Sequence, residues 1–164
     1  IYEGGIRVPL IARWPGVIEA GSRCTAPVIG CDLYPTLVEI GGGNSTGSQP
    51  VDGVSIASLL AGGGIERRAL YWHFPAYLEG NKRVGTWRAT PCGAVRDGRW
   101  KLIEWFEDGR IELYDLASDV GERNDLADEE PALRNRLLVD LRAWRERVGA
   151  PAPTEPNPGF VESE

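Results

Sequence analysis

The 164-residue sequence lacks several features that identify particular classes of protein. It has no methionine, one histidine and three cysteines, Cys24, Cys31 and Cys92, whose spacing is not that of a structural zinc site. An odd number of cysteines cannot form a closed set of disulfides, although the spacing permits a Cys24–Cys31 bridge without indicating one. The sequence therefore predicts neither a disulfide framework nor a zinc-stabilised fold.

Long apolar runs and basic stretches are absent as well. A bilayer is spanned by about 20 consecutive apolar residues, and no run in this sequence approaches that length. The N-terminus does not show the basic and then apolar pattern of a signal peptide. With 18 Lys and Arg against 24 Asp and Glu, the net charge is -6 and no basic stripe is present. We therefore expect no transmembrane segment and no nucleic-acid partner.

The stretch 94–116 is divided by two Asp-Gly pairs into three short apolar runs. Asp-Gly between apolar runs is typical of two-residue hairpin turns, because glycine adopts a positive φ without steric cost. The pattern predicts a three-strand meander with turns near Asp97-Gly98 and Asp108-Gly109. Alternation along the strands predicts one mostly apolar face, formed by Trp100, Leu102, Ile111 and Leu113.

A C-terminal helix is predicted from about Pro131 to Val148. It begins near Asp128-Glu129-Glu130-Pro131, an acidic first turn with an early proline, and Gly149 supplies a stop. Apolar residues recur along it with a 3.6-residue period, at Leu133, Leu137, Leu138, Leu141, Trp144 and Val148. We expect this stripe to cover the apolar face of the meander, and we expect the proline-rich tail that follows to be extended.

The sequence pattern of the first half of the chain predicts strands and helices that belong to a larger α/β sheet. The apolar run 6–14 is typical of a buried strand, and Pro15-Gly16 stops it. Helical spacing predicts a helix over 29–41, and we assign Asp32 in its first turn a structural role at the helix end. A short helix over 55–60 and a strand over 69–74 follow.

Several motifs resemble one family. Tyr-Glu-Gly-Gly-Ile-Arg-Val-Pro (residues 2–9) is followed closely by Arg-Trp-Pro-Gly (13–16) and then by Asp-Leu-Tyr-Pro-Thr-Leu (32–37). The meander is followed by an acidic stretch, 119–126, that is close to an Asp-x-x-Glu-x-x-Asn-Leu pattern. Its carboxylates lack the regular alternation of a calcium loop, so we assign them capping and turn roles. Together these segments resemble the C-terminal part of type I sulfatases, arylsulfatase-like members of the alkaline-phosphatase superfamily.

The resemblance implies a fold class and a domain organisation. The fold would be α/β, as the C-terminal part of an alkaline-phosphatase-like sulfatase, followed by a small α+β subdomain whose antiparallel meander is covered by a C-terminal helix. Residues 1–80 would be the incomplete end of the catalytic domain, and residues 81–164 the α+β subdomain with its tail. Since methionine is absent and a motif follows Ile1 directly, we expect the chain to belong to a longer protein.

The resemblance also implies an activity. Sulfatases hydrolyse sulfate esters with a formylglycine nucleophile and a calcium ion, so the expected substrate is a sulfated small molecule or glycan. The Cys-x-Pro-Ser-Arg or Ser-x-Pro-Ser-Arg motif that supplies formylglycine is not in this sequence, and the calcium ligands are expected before Ile1. We therefore expect no catalytic residue and no metal ligand in this chain, and no activity from the chain alone. Only the resemblance suggests a compartment, which would be periplasmic, lysosomal or secreted.

Three residues are candidates for substrate binding. His73 lies in Tyr-Trp-His-Phe-Pro-x-Tyr, which resembles a sulfatase segment at the mouth of the active site, where an imidazole would contact a sulfate or a sugar hydroxyl. The alternative is a partly buried residue at a strand end that donates one hydrogen bond. Glu3 and Arg7 are weaker candidates, and for them the alternative is an ion pair with each other. The family often has a second histidine where this chain has Ala76.

Other readings of the sequence stay open. The chain is also compatible with a phosphonate monoester or phosphodiester hydrolase of the same superfamily, and with a non-catalytic α+β binding module. Lys82, Arg83 and Arg88 are interpreted as cations of a solvated loop rather than as ligands of an anionic substrate. Asn44-Ser45-Thr46 matches the N-glycosylation pattern, which often arises by chance.

Overall fold

The computed structural model describes residues 1–44, 50–66, 68–78, 87 and 89–153. The chain forms two compact units, one of residues 1–8 with 68–164 and one of residues 9–67, which we call the sheet unit and the helical unit. The boundaries of these units lie after residues 8 and 67, whereas the predicted domain boundary lies between residues 80 and 81. That boundary stays a prediction about the domains of the full-length protein.

The sheet unit is built on a four-stranded antiparallel sheet in the order β1-β2-β3-β4. Its strands are β1 (Leu70–Phe74), β2 (Cys92–Asp97), β3 (Trp100–Trp105) and β4 (Ile111–Asp115). Strands β2 to β4 are the predicted meander, and Gly98 and Gly109 take a positive φ of 62° and 72° at its two turns. Both predicted turns are therefore confirmed, and β1 extends the meander by pairing with β2.

Helix α4 (Pro131–Val148) covers one face of this sheet, which we call the helix face. Leu137 and Leu141 are fully buried there. They lie in a cluster with Val95, Leu102, Leu113 and Ala127. This arrangement confirms that the C-terminal helix covers the meander, and Gly149 ends the helix in a left-handed conformation.

The prediction that Val148 belongs to the buried stripe of the helix is wrong. Val148 is 45% exposed. Trp144, one turn earlier, stacks on Tyr71 with ring centroids 4.9 Å apart. Tyr71 belongs to β1, which is the edge strand of the sheet. The contact surface for the helix ends there, so the final turn of α4 has no strand to cover.

The opposite face, which we call the turn face, is buried as well. It carries a second apolar cluster, formed by Cys92, Ala94, Ile103, Trp105, Tyr114 and Leu116. The one-turn helix α1 (Glu3–Ile6) and the residues before it lie on this face, where the Tyr2 ring packs 6.0 Å from the Trp105 ring. The expectation of a single apolar face is thus incomplete, because a distant segment covers the other one.

The helical unit contains a 3₁₀ turn (Gly30–Asp32), α2 (Leu33–Ile40) and α3 (Ala57–Leu60). Asp32 is fully buried. Its Oδ2 accepts the Ile29 N–H at 2.9 Å, and its Oδ1 accepts the Val54 N–H at 3.0 Å. A Cβ on Gly53 would lie 2.0 Å from the Cys31 carbonyl oxygen, so only glycine fits this close approach. Both predicted helices and the structural role of Asp32 are confirmed.

The predicted strand over residues 6–14 is wrong. Residues 3–6 form α1, and residues 7–13 have no regular secondary structure. Val8 and Ile11 are 75% and 90% exposed. A buried strand requires hydrogen-bonded neighbours, and no strand in the described ranges pairs with this segment. An apolar run indicates burial only where such partners exist.

The remaining expectations concern the cysteines, the loop cations, the tail, the glycosylation pattern and membrane spans. Cys24 and Cys31 do not form the disulfide that their spacing permits. Lys82, Arg83, Arg88 and residues 154–164 of the predicted tail lie outside the described residues, as do Ser45 and Thr46 of the glycosylation pattern. None of the helices in the described part of the chain has the length and apolar character needed to cross a membrane.

Candidate functional site

The motif at residues 2–7 folds into a single helical turn. The Gly5 N–H donates to the Tyr2 carbonyl at 2.8 Å, and the Arg7 N–H donates to the Glu3 carbonyl at 2.8 Å. The Glu3 side chain points inward and is 4% exposed, whereas the Arg7 side chain is 57% exposed. Gly4 and Gly5 are exposed between them. The turn therefore presents backbone and one guanidinium outward and buries one carboxylate.

Lys101 receives that buried carboxylate on the turn face. Its side chain is completely buried, and its Nζ lies 3.0 Å from Glu3 Oε1 and 2.7 Å from Glu122 Oε1. The same ammonium donates to the Ile1 carbonyl at 2.9 Å. Three acceptors thus match the three donors of a lysine ammonium. The second residue of β3 therefore holds residues 1 and 3 against the sheet.

Glu122 uses both of its carboxylate oxygens in this cluster. While Oε1 contacts Lys101, Oε2 accepts the Glu3 backbone N–H at 2.5 Å. Glu122 has a positive φ of 51°, a conformation that costs a non-glycine residue about 1–2 kcal/mol. The preceding turn supports it, because Asp119 Oδ2 accepts the N–H groups of Arg123 and Asn124 at 2.8 and 2.9 Å. These contacts confirm the predicted turn role of the acidic stretch 119–126.

Two arginines complete the electrostatics around Glu3. Arg7 and Arg96 place a terminal guanidinium nitrogen 3.6 and 3.7 Å from Glu3 Oε2. The predicted Glu3–Arg7 ion pair is therefore present, but the nearer cation of Glu3 is Lys101. We call Glu3, Lys101 and Glu122 the clamp cluster.

Tyr2 attaches the turn to the sheet at a second point. Its hydroxyl donates to Glu112 Oε2 at 2.8 Å, and the Tyr114 hydroxyl donates to the same oxygen at 3.0 Å. Burial, reinforced by the hydrogen bond to Glu112 and the negative charge of that carboxylate, raises the pKa of Tyr2 to about 12. Tyr2 therefore stays a neutral donor at physiological pH.

His73 lies on the other side of the sheet. Its neighbours along β1, Trp72 and Phe74, pack against the turn-face cluster. Side chains alternate along a strand, so His73 projects to the helix face. The structure thus brings Glu3 and Arg7 together and separates both from His73.

The histidine contacts the end of the C-terminal helix region. Its Nε2 lies 3.1 Å from the Pro151 carbonyl oxygen, so this nitrogen carries the donated proton. The ring lies 5.5 Å from the Phe106 ring, over which Arg145 is placed at 4.8 Å. Burial lowers the pKa of His73; the hydrogen bond to Pro151 opposes this effect and the charge of Arg145 adds to it. The geometry matches the alternative in which a strand-end histidine donates one hydrogen bond.

Two members of the clamp cluster were not among the residues that the sequence singled out. Lys101 sits in an apolar run of the meander, where alternation places it opposite the predicted core. Glu122 belongs to the acidic stretch, which was interpreted as turn chemistry only. Lys101 could have been found from its position, because it is flanked by Trp100 and Leu102 inside a buried strand. A lysine that is buried there needs a carboxylate partner.

The described residues do not form a metal site. No group of three or more His, Cys, Asp or Glu side chains within the described ranges is arranged to hold an ion. The carboxylates of the clamp cluster are both engaged by Lys101. Any calcium ion that the family resemblance implies has no ligand set among these residues.

Comparisons with known proteins indicate one family. The family model described as N-sulphoglucosamine sulphohydrolase, C-terminal, matches residues 1–146. A protein described as a sulfatase from Formosa agariphila is 37% identical over 166 residues, which cover 92% of this chain and 29% of that protein. The chain thus spans less than a third of the length of this relative.

Solved structures show the same fold. A protein in complex with its substrate, D-glucosamine-2-N,6-O-disulfate, superposes with a TM-score of 0.68 at 24% identity, over 84% of this chain and 28% of that chain. A phosphonate monoester hydrolase from Silicibacter pomeroyi superposes with a TM-score of 0.60 at 24% identity, over 82% of this chain and 28% of that chain. At this level of identity the likeness concerns the fold.

Proposed function

Since this chain belongs to the sulfatase family, we propose that the full-length protein that carries it is a sulfuric ester hydrolase. The observation that carries the proposal is the family match over residues 1–146, which includes the N-terminal motif, the meander and most of α4. The fold agrees with this assignment, since solved relatives superpose over most of the chain. The expected substrates are sulfated small molecules or glycans.

The family implies a formylglycine nucleophile and a calcium ion, which together supply attack on sulfur and stabilisation of the charge on the sulfuryl group. The described residues do not fit either group, because they form no ligand cluster, and the sequence has no formylglycine motif. We assign no chemical step to this chain. Its residues would bind and orient substrate, and we propose that the chain alone is inactive.

Arg7 is the residue whose placement best suits contact with a sulfate group. Its guanidinium is more than half exposed, and it stays close to the buried Glu3 carboxylate. Planar guanidinium groups bind oxyanions through paired donors. Glu3 would then act from beneath, by orienting Arg7, rather than by touching an anionic substrate itself.

His73 is proposed as a contact to a sugar hydroxyl. With its proton on Nε2, the Nδ1 atom is an acceptor; it is buried in this chain and has no hydrogen-bond partner among the described residues. An acceptor suits a hydroxyl donor better than it suits a sulfate oxygen. Because His73 and Arg7 lie on opposite faces of the sheet, they would serve separate contacts.

A phosphonate monoester hydrolase is the second candidate function. The observation in its favour is the TM-score of 0.60 with the enzyme from Silicibacter pomeroyi. This likeness shows a shared fold, whereas the more similar curated relative is described as a sulfatase. Sulfate ester hydrolysis is therefore the better supported activity.

The test compares substrates on the full-length protein. We expect turnover of 4-nitrophenyl sulfate to exceed turnover of a 4-nitrophenyl phosphonate monoester, and we expect no turnover by residues 1–164 alone. A preference for the phosphonate would favour the second candidate, and no turnover of either would favour a non-catalytic module. Turnover by the isolated chain would contradict its proposed inactivity.

The same assay tests the proposed contacts. Arg7→Ala is expected to raise KM for the aryl sulfate at least tenfold, since a charge-assisted contact is worth about 1.5–3 kcal/mol. Arg136→Ala, which removes a guanidinium of similar exposure from α4, is the matched control and is expected to leave KM unchanged. His73→Ala should alter KM for a sulfated sugar and not for the aryl sulfate; an equal effect on both would argue against a sugar contact.

A further inference from the structure

We propose that Lys101 and Glu122 are positioning residues, which hold the turn Glu3–Ile6 so that Gly4, Gly5 and Arg7 face the substrate. The holding of the turn depends only on the contacts of the clamp cluster. Its kinetic consequence rests on the proposed sulfatase function. The two can therefore fail separately.

The turn has little ability to keep its own shape. It is a single helical turn of four residues, two of which are glycine. Isolated short helices are unstable in water, and each glycine is less favourable in a helix than alanine. Contacts from outside the turn must therefore hold it, and the structure supplies them from residues 98 and 119 positions away along the chain.

The contacts are directional as well as strong. Lys101 fixes the Glu3 carboxylate, and Glu122 fixes the Glu3 backbone N–H, so the same residue is held at two points. Lys101 also joins Glu122, which closes the set into one network. An apolar contact would cover the sheet equally well but would not define the orientation of the turn. In some proteins a buried ionic group is retained because it specifies one geometry.

Glu122 carries a backbone strain in order to make its two contacts. In the described part of the chain it is the single non-glycine residue with a positive φ. A glycine would adopt this conformation at no steric cost. Residues held in such conformations tend to occur at functional sites. The carboxylate of Glu122, rather than the shape of its loop, therefore explains why a glutamate stands here.

The outward side of the turn is left open. Neither Gly4 nor Gly5 has a positive φ, and a Cβ built on either would meet nothing within 4 Å. Nothing in the described chain therefore requires glycine at these two positions. Two glycines in succession do allow a substrate to approach the backbone closely. A clamped turn with a bare outer side next to an exposed arginine is suited to this purpose.

The experiment uses the full-length protein and three variants. Glu122→Gln keeps the size of the side chain and removes its charge, and Glu122→Gly relieves the backbone strain while deleting the carboxylate. Glu104→Gln is the matched control, because Glu104 is a buried carboxylate on the helix face that contacts two arginines, Arg142 and Arg145. Each variant is assayed with 4-nitrophenyl sulfate well below its unfolding temperature, and amide hydrogen exchange is followed at residues 3–7.

Both Glu122 variants are expected to lower kcat/KM at least tenfold and to accelerate exchange at residues 3–7. Displacements of about 1 Å at a site can cost a hundredfold in rate. Glu104→Gln is expected to change neither quantity. Wild-type kinetics and wild-type exchange in a folded Glu122→Gly protein would overturn the proposal. If the wild-type protein has no sulfatase activity, the proposed function fails, and the exchange measurement still decides whether the clamp exists.

Discussion

The two faces of the sheet are both buried, but they are covered by different means. The helix face is closed by α4, which begins sixteen residues after β4 ends, at Pro131 after Asp115. The turn face is closed in part by residues 1–6, which contact residues about a hundred positions away, such as Lys101. The first cover follows from local sequence periodicity. The second exists only once the chain has folded.

Each face also contains a buried ion cluster, and these clusters differ in their access to water. On the helix face, Glu104 accepts two hydrogen bonds from Arg142, at 2.9 and 2.6 Å, and pairs with Arg145 at 2.7 Å. Arg142 is 54% exposed, so this cluster remains partly hydrated. On the turn face, Lys101 is completely buried between two buried carboxylates. Loss of one partner should therefore be more costly on the turn face.

Removal of the buried ammonium is the largest expected effect. Lys101→Met leaves Glu3 and Glu122 facing each other without their common cation, and breaking a buried pair in this way typically costs about 3–5 kcal/mol. The free energy of unfolding from urea denaturation measures this loss. Glu104→Gln, in which the Arg142 guanidinium keeps access to water, is expected to lose less. An equal or greater loss in Glu104→Gln would remove the difference between the two faces.

A cavity under the helix is the next largest effect. Leu141 is fully buried in the helix-face cluster. Leu141→Ala is therefore expected to lower the free energy of unfolding by about 3 kcal/mol, through lost burial and the cavity that remains. Val148→Ala is the matched control on the same helix, and because Val148 is nearly half exposed it should change stability by less than about 0.5 kcal/mol. Similar losses in both variants would mean that α4 packs along its whole length.

The helix face was predictable from sequence because its signals are local. Two Asp-Gly turns define the meander, and a 3.6-residue period defines the helix that covers it. The buried Asp32 was also predictable, since a carboxylate in a first helical turn commonly accepts backbone N–H groups.

The turn face was not predictable in the same way. Its cover is the segment 1–6, which the sequence marked as a motif ahead of a predicted strand and not as a cover for the meander. The interaction that holds it joins Glu3, Lys101 and Glu122. Sequence motifs identified Glu3 as a candidate but not Lys101 or Glu122. A lysine requires a carboxylate partner only when it is buried, and the burial of Lys101 is known only from the structure. Long-range pairing, not local propensity, decides this part of the fold.

The smallest expected effect concerns His73 on the helix face. As the single histidine of the chain, it gives one imidazole titration in an NMR experiment. Burial is the main reason that its pKa is lowered from the usual 6.5, so we expect a midpoint below that value. A histidine with a lowered pKa binds fewer protons when folded than when unfolded, and stability is therefore lost as the pH falls below about 6.5. His73→Phe should remove this part of the pH dependence while it keeps the packing against Phe106. A midpoint at or above 6.5 would mean that His73 is exposed to water and that the helix face is open at this end.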